Sequence, residues 1–277
     1  MLELTAQHEI ETGDRFSFGG NWSKYLKSID DEKIQHAKIA LKTILGDIDL
    51  AGKSFLDIGS GSGIHSLAAC SLGAKVYSMD FDMKSVDCTS YLRDKFYGHD
   101  QNWQVAQGSV LDQKFIKSLG KFDVVYSWGV LHHTGDMYNA LDIAQSVVAD
   151  NGILFIAIYN DQGSSSKYWT FVKKTYNKYL LAKYFWSAFY LTLHTTKGLI
   201  KDILHFKNPF VRYTEYKMQR GMSIYYDIFD WIGGYPFEVA TPEQIFDYYR
   251  EKGYTLIKMK TCAGGSGCNE FIFKKNN

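Results

Sequence analysis

The alternation of apolar and polar positions divides the chain into a regular first part, an irregular middle and a regular end. Lys53–Ile58 is a compact apolar run stopped by glycine, which predicts a short buried strand, and Ile64–Leu72 predicts a helix ending before Gly73. Ala74–Asp80, Trp103–Val110, Phe122–Trp128 and Gly152–Tyr159 predict four more strands, the last apolar almost throughout and therefore buried on both faces. Strands alternating with helices imply a doubly wound, mostly parallel α/β sheet with right-handed crossovers. Upstream, Ile34, Ala37, Lys38, Leu41 and Leu45 trace one helical face behind a cap at Asp30 or Asp31. Downstream, Thr241-Pro242-Glu243-Gln244 combines an N-cap, a first-turn proline and a capping box, opening a helix that ends near Gly253. Tyr254–Cys262 and Asn269–Lys274 predict the last two of seven strands, and the short turn between them requires the final one to be antiparallel.

The irregular middle defines the domain organisation. Residues 1–30 precede the regular pattern as an N-terminal arm, residues 31–160 and 241–277 form the sheet domain, and residues 161–240 are an insertion. Within it, Lys167 to Lys207 carries eight lysines against one acid, Asp202, and Tyr179–Leu193 is apolar except for Lys183. That apolar run is too short to span a bilayer. Leaving the sheet at the carboxyl edge of its strands, the insertion is expected to be a helical cap over a ligand site; a helix lying on a membrane surface or a dimer contact are the alternatives. In the arm, the run Phe16-Ser17-Phe18-Gly19-Gly20-Asn21-Trp22 suits either a lid over a ligand or an aromatic anchor.

Candidate chemistry concentrates between the first strand and its helix, where Gly59, Gly61 and Gly63 alternate with serines behind Asp57. Glycine lets the backbone turn sharply and lets a ligand press against it, and the N–H groups of the following helix attract anionic atoms. A dinucleotide site wants G-x-G-x-x-G; here the third glycine arrives one residue early. Asp80, at the tip of the second strand, is placed to accept hydrogen bonds from two ribose hydroxyls, with Asp82 a weaker candidate.

Asp57-x-Gly59-x-Gly61-x-Gly63, Asp80, the turn Gly108–Asp112 and Phe122–Trp128 followed by Gly129-Val130-Leu131-His132-His133 resemble, in order and spacing, the motifs of Rossmann-like (class I) S-adenosylmethionine (SAM) methyltransferases. The resemblance covers roughly residues 50–160 and extends, through Asn160–Gly163, Arg220–Phe237 and Gly267–Phe271, to a bacterial small-molecule subgroup often labelled quinone-type methylases. It implies SAM as cofactor, held by Asp57, Gly59, Ser60, Gly61, Gly63, Asp80, Phe81, Ser109, Val110 and Trp128, with no metal. The Asp/Asn-Pro-Pro-Tyr motif of many amino-methylating nucleic-acid enzymes is missing after the fourth strand.

Charge and composition narrow the partners. A formal net charge of +1 over 277 residues provides no global field for nucleic acid, although the lysine-rich insertion keeps RNA as a third option. Aromatic content of 16% suits a substrate pocket as well as a core. Cys70, Cys88, Cys262 and Cys268 make no C-x-x-C pair, and with a polar N-terminus read as lacking a signal peptide they are expected to be free thiols in the cytoplasm.

The expected activity is methyl transfer to a small molecule, as an O-methylation of a polar acceptor such as a sugar or nucleotide-linked metabolite. His132 or His133, following the fourth strand, is the expected general base, with Asp161 and Glu270 as substitutes. Asn160, Gln162, Arg220, Tyr225, Tyr226, Asp227 and Asn269 are expected to bind the acceptor. A quinone or lipid acceptor at a membrane surface, and a SAM-binding protein without catalysis, are the alternatives.

Overall fold

A computed structural model of the chain describes residues 2–26, 29–46, 48–98, 102–206, 208, 211 and 224–277. Seven strands, β1 (Ser54–Ile58), β2 (Lys75–Asp80), β3 (Trp103–Gln107), β4 (Phe122–Trp128), β5 (Val148–Tyr159), β6 (Tyr254–Lys260) and β7 (Cys268–Lys275), form one sheet in the order β3-β2-β1-β4-β5-β7-β6. The first five pair in parallel, whereas β7 runs antiparallel to both neighbours, as its short turn demands.

Both faces of the sheet are covered. Alternation sends Phe55, Val124, Tyr126 and Phe155 to one face, against Leu41 and Leu45 of α3 (Asp31–Leu45), Leu67 and Ala68 of α4 (Ile64–Ser71) and Leu92 of α5 (Met83–Tyr97). Leu56, Val125 and Leu154 go to the other, against Ile116 of α6 (Gln113–Ser118), Leu141 and Ala144 of α7 (Met137–Ser146) and Tyr249 of the helix Pro242–Glu251. That last helix begins with the capping box read from Thr241 and Gln244, and Asp30 caps α3 through Lys33 N.

Two parts lie outside this frame. The arm folds into α1 (Leu2–Glu11) and α2 (Gly19–Leu26); Trp22, Tyr25 and Leu26 recur at helical spacing in α2, whereas α1 has little amphipathic pattern. After β5 come α8 (Ser164–Lys178), α9 (Leu180–Leu204) and α10 (Ile224–Gly233), before α11 (Pro242–Glu251). Strand order reverses between β1 and β4, and at such a switch point the loops leaving adjacent strands diverge and open a crevice.

Candidate active site

A cavity of about 960 Å³ occupies that crevice, at the upper end of the usual range for small-molecule sites and large enough for more than one ligand. Its first half is the sequence-legible half. Asp57, Gly59, Ser60, Gly61, Asp80, Phe81, Ser109, Val110 and Trp128 line it; Gly63 lies just behind. At Gly63 a Cβ would come within 2.8 Å of the Thr89 backbone in α5, so this glycine brings the α4 and α5 turns together. At Gly59 a Cβ would meet Val130 at 2.3 Å, so the turns after β1 and β4 can touch only where one side chain is missing.

Asp80 holds this half in shape. One carboxylate oxygen accepts from Gly61 N at 2.9 Å and the other from Asp82 N at 2.9 Å. Burial pushes its carboxyl up to about 6, against the pull of those N–H groups. Burial, with the Asp80 charge adding to it, pushes Asp57 to about 7, although Ser66 Oγ donates to its carboxylate. Asp82, the weaker ribose candidate, accepts instead from Lys84 N at 3.0 Å as the cap of α5 and from Gly19 N of the arm at 2.9 Å.

Residues of the arm line the cavity and are fastened to its walls. Arg15 donates to the His133 carbonyl at 2.6 Å and the Thr134 carbonyl at 3.3 Å, and its guanidinium lies 4.8 Å from the centre of the Phe81 ring. Phe16 N donates to the Tyr235 carbonyl at 2.8 Å, and Asn21 donates to Asp230 of α10. Trp22 lies over the glycine loop, 3.0 Å from where a Cβ on Gly61 would be.

The second half has a different character. Phe16, Phe18, Tyr159, Trp169, Tyr190 and Trp231 form most of its wall, with Leu193 and Ile232 filling between them. Among the described residues Asp230 is the one carboxylate of this half, and Arg15, His194 and Lys197 are its polar rim. His133 faces the cavity beside Phe18, their rings 5.0 Å apart. Its Nδ1 sits 2.6 Å from the Pro236 carbonyl, which can only accept, so Nδ1 carries the proton and Nε2 the lone pair. Burial, reinforced by the charges of Lys173 and Arg15, lowers its pKa to about 3.

Several expected acceptor-site and catalytic residues are placed elsewhere. His132 is fully buried, its ring tilted against that of Tyr159 with centres 4.1 Å apart, and accepts from Tyr159 N at 3.3 Å; burial drives its pKa far down. Asn160 and Asn269 face each other, Nδ2 of Asn269 donating to Oδ1 of Asn160 at 3.0 Å, while Asn160 and Gln162 donate to the Gly265 and Gly264 carbonyls. They tie the ends of β5 and β7 to the turn between β6 and β7 and lie outside the cavity lining. The reason is period-two alternation: Tyr159 and Cys268, paired across β5 and β7, face the cavity, so Asn160 and Asn269 turn away.

Asp161 accepts from Gly163 N at 2.8 Å at the start of α8, and Glu270 accepts from Trp128 Nε1 at 3.2 Å; neither lines the cavity. Arg220 lies outside the described residues, as do the side chains of Tyr225, Tyr226 and Asp227 in the first turn of α10. Cys262 and Cys268 are free, and burial pushes the Cys268 thiol up to about 12.

Arg15, Tyr159, Asp230 and Trp231 were not singled out in the sequence as site residues. Asp230 did carry a signal, a lone acid within the apolar run Ile228–Ile232. Lys173 carried none, since it resembles its exposed neighbours in a lysine-rich helix. It is nevertheless fully buried, donates to the Trp231 carbonyl and lies 4.3 Å from the Trp231 ring centre. Burial lowers its pKa to about 7, which the nearby Asp230 charge opposes.

The residues present fit SAM. The cavity is lined at the β1 turn by Gly59, Ser60 and Gly61, Asp80 lines it as an acceptor a ribose could reach, and the acids Asp57 and Asp80 suit a cationic donor.

Comparison with known proteins agrees. The family described as a methyltransferase domain matches residues 31–191. Ribosomal protein L11 methyltransferase of Helicobacter hepaticus is 29% identical over 155 residues, covering 52% of this chain and 47% of that protein. Ubiquinone biosynthesis O-methyltransferase of Pelagibacter ubique is 29% identical over 139 residues, covering 50% of this chain and 52% of that one. The chain thus spans about half the length of the curated relatives it matches. Magnesium protoporphyrin IX methyltransferase of Synechocystis, solved with S-adenosylhomocysteine, superposes with a TM-score of 0.51 at 15% identity, covering 90% of this chain and 86% of that one. An O-methyltransferase family protein of Burkholderia thailandensis reaches 0.53 at 10% identity, covering 89% of this chain and 58% of that one. At these identities the structures establish a shared fold.

Proposed function

The chain belongs to the methyltransferase-domain family of SAM-dependent methyltransferases, and on that premise we propose that it O-methylates a small acceptor carrying an aromatic hydroxyl. The observation that carries this reading is the acceptor half of the cavity, where Phe18, Tyr159, Trp169, Tyr190 and Trp231 surround the space next to the glycine loop. Such walls bind a flat apolar body through burial and offset ring contacts. The polar side chains expected to bind a sugar, Asn160, Gln162 and Asn269, instead hydrogen-bond to each other and to the loop before β7.

SAM, when bound, supplies an electrophilic methyl group whose transfer to a hydroxyl oxygen leaves S-adenosylhomocysteine and one proton. The chain's part is to hold the acceptor oxygen in line with that methyl and to exclude water, and positioning of this kind can supply much of the acceleration. The arm excludes water through Phe16, Phe18 and Trp22. His133 offers Nε2 as a hydrogen-bond acceptor that orients the hydroxyl. With its pKa near 3 the neutral ring, protonated at Nδ1 alone, takes up no second proton at neutral pH, so it orients the hydroxyl rather than serving as a full base. Asp230 offers a carboxylate on the same side. A site without a strong base favours a hydroxyl that ionises easily, and a phenol, at about 10 like tyrosine, does so far more readily than an alkyl alcohol. The O-methyltransferase relative points the same way.

The test is transfer from methyl-labelled SAM to a panel of catechols, quinols, sugars and amines. Label on a phenolic oxygen is the expected result. Label confined to sugar hydroxyls, or to nitrogen of an amine or of a ribosomal protein, excludes this reading.

A further inference from the structure

The insertion presents to solvent a face unlike the rest of the molecule. At 3.6 residues per turn, Leu181, Phe185, Thr192, Leu199 and Ile203 fall along one stripe of α9, flanked by Tyr184. Leu181 is 85% exposed, Tyr184 67%, Ile203 60% and Phe185 58%, far more apolar exposure than an ordinary soluble helix shows on its outer face. The opposite side of the same helix, through Tyr190, Leu193 and Lys197, lines the cavity. One helix therefore separates the acceptor half from a greasy surface that, among the described residues, is exposed.

Charge indicates what covers that surface. Lys167, Lys174, Lys178, Lys183, Lys197 and Lys201 are exposed on α8 and α9, and the single acid of this stretch, Asp202, is buried. The whole chain has a formal net charge of only +1, so these lysines are balanced by a net negative remainder. The molecule is polarised, with an apolar, cationic hairpin at one end and excess acid elsewhere. A second copy of this chain would bring one cationic hairpin against another. An anionic bilayer attracts the hairpin and repels the remainder, which fixes orientation as well as attraction. Long lysine stems can reach the headgroups while the apolar stripe enters the acyl boundary. Among the described residues no helix is long and apolar enough to cross a membrane, so a hairpin bound in this way lies on the surface.

We propose that the α8–α9 hairpin docks the protein on anionic lipid surfaces, with α9 lying in the interface and the acceptor half of the cavity directly behind it. Resting on the aromatic-acceptor reading, this narrows the acceptor to one drawn from, or returned to, the membrane.

The test is cosedimentation of the full chain with vesicles of phosphatidylcholine alone and with roughly one third phosphatidylglycerol, at low and high salt. Wild type is expected to bind the anionic vesicles at least about tenfold more tightly, with a loss at high salt. The variant L181S/F185S/I203S should lose at least about tenfold on the anionic vesicles. The variant K174Q/K178Q/K183Q should lose the preference for anionic lipid and the salt dependence. SAM affinity, equal in all three, shows that the variants fold. Failure of wild type to bind anionic vesicles, or unchanged binding by both variants, overturns the proposal. A concentration-dependent wild-type dimer that L181S/F185S/I203S dissociates, without vesicle binding, overturns it too and assigns the face to a second copy. Turnover of a soluble phenol without vesicles is read separately, so failure of docking and failure of the acceptor reading are distinguishable.

Discussion

Replacing Asp80 by alanine is expected to weaken SAM binding by about tenfold or more while the protein still folds. On the proposed role of Asp80 in holding the ribose, a hydrogen bond to its charged carboxylate is worth roughly 1.5–3 kcal/mol. The same substitution strips the acceptor from Gly61 N and Asp82 N, which loosens the glycine loop. Asp80→Asn removes the charge and keeps one acceptor oxygen, but turns its amide N–H2 toward either Gly61 N or Asp82 N, so it keeps half of the loop's hydrogen bonds. The pH dependence follows from the direction of the shift. Burial raises the carboxyl from its ordinary value near 3.8 to about 6, so its contribution to stability is present below about 4 and is lost as pH rises through 6. Cofactor binding runs the other way, because only the ionised carboxylate accepts from two hydroxyls without giving up a lone pair. SAM affinity should therefore rise from pH 5 to pH 7 in wild type and flatten in Asp80→Asn. Calorimetry at those two pH values measures both, and wild-type affinity in Asp80→Ala would remove Asp80 from the ribose site.

Gly61→Val is expected to abolish measurable SAM binding. Gly61 has φ +55°, a left-handed conformation that costs a β-branched residue at least about 1–2 kcal/mol. A Cβ there would also press on the Trp22 indole at 3.0 Å, and valine adds two further methyl groups. The clash involves a side chain rather than backbone, so it can be relieved. Gly61→Ala should bind SAM weakly, and adding Trp22→Ala should recover part of the loss, leaving the φ penalty. A Gly61→Val protein that binds SAM within a few fold of wild type would show that the loop is not packed against its ligand through backbone.

These two residues belong to the part of the site that the sequence makes legible, and the reason is locality. Asp57 to Gly63 is one strand end and its turn, and Asp80 is the tip of the next strand. Their positions follow from alternation and glycine spacing without knowledge of tertiary contacts. The antiparallel β7 and the Thr241 capping box were legible for the same reason. The acceptor half was not, because Arg15 and Phe18 from the arm, His133 and Tyr159 from the sheet edge, and Trp231 from α10 meet only in the folded chain.

Polarity misled where pairing intervened. Asn160 and Asn269 look like ligand-binding groups at strand ends, but the β5–β7 register turns them toward each other. The adjacent histidines show the same limit. Both follow β4, yet in the short turn Leu131–His133 only His133 faces the cavity, while His132 is packed under Tyr159. The arm was legible in composition and not in shape. Its aromatic-glycine run allowed a lid or an anchor; Arg15 and Phe16 fasten it, and Phe18 and Trp22 line the cavity.

Whether one cavity divides into a cofactor half and an aromatic acceptor half is tested most directly by a crystal structure with S-adenosylhomocysteine and a methylated phenol. The predicted result is ribose hydroxyls on Asp80 and a phenol ring enclosed by Phe18, Tyr159 and Trp231, its oxygen within hydrogen-bond reach of His133. A ring bound outside that space, against Asn160, Gln162 and Asn269, or a cofactor whose ribose does not reach Asp80, would contradict it.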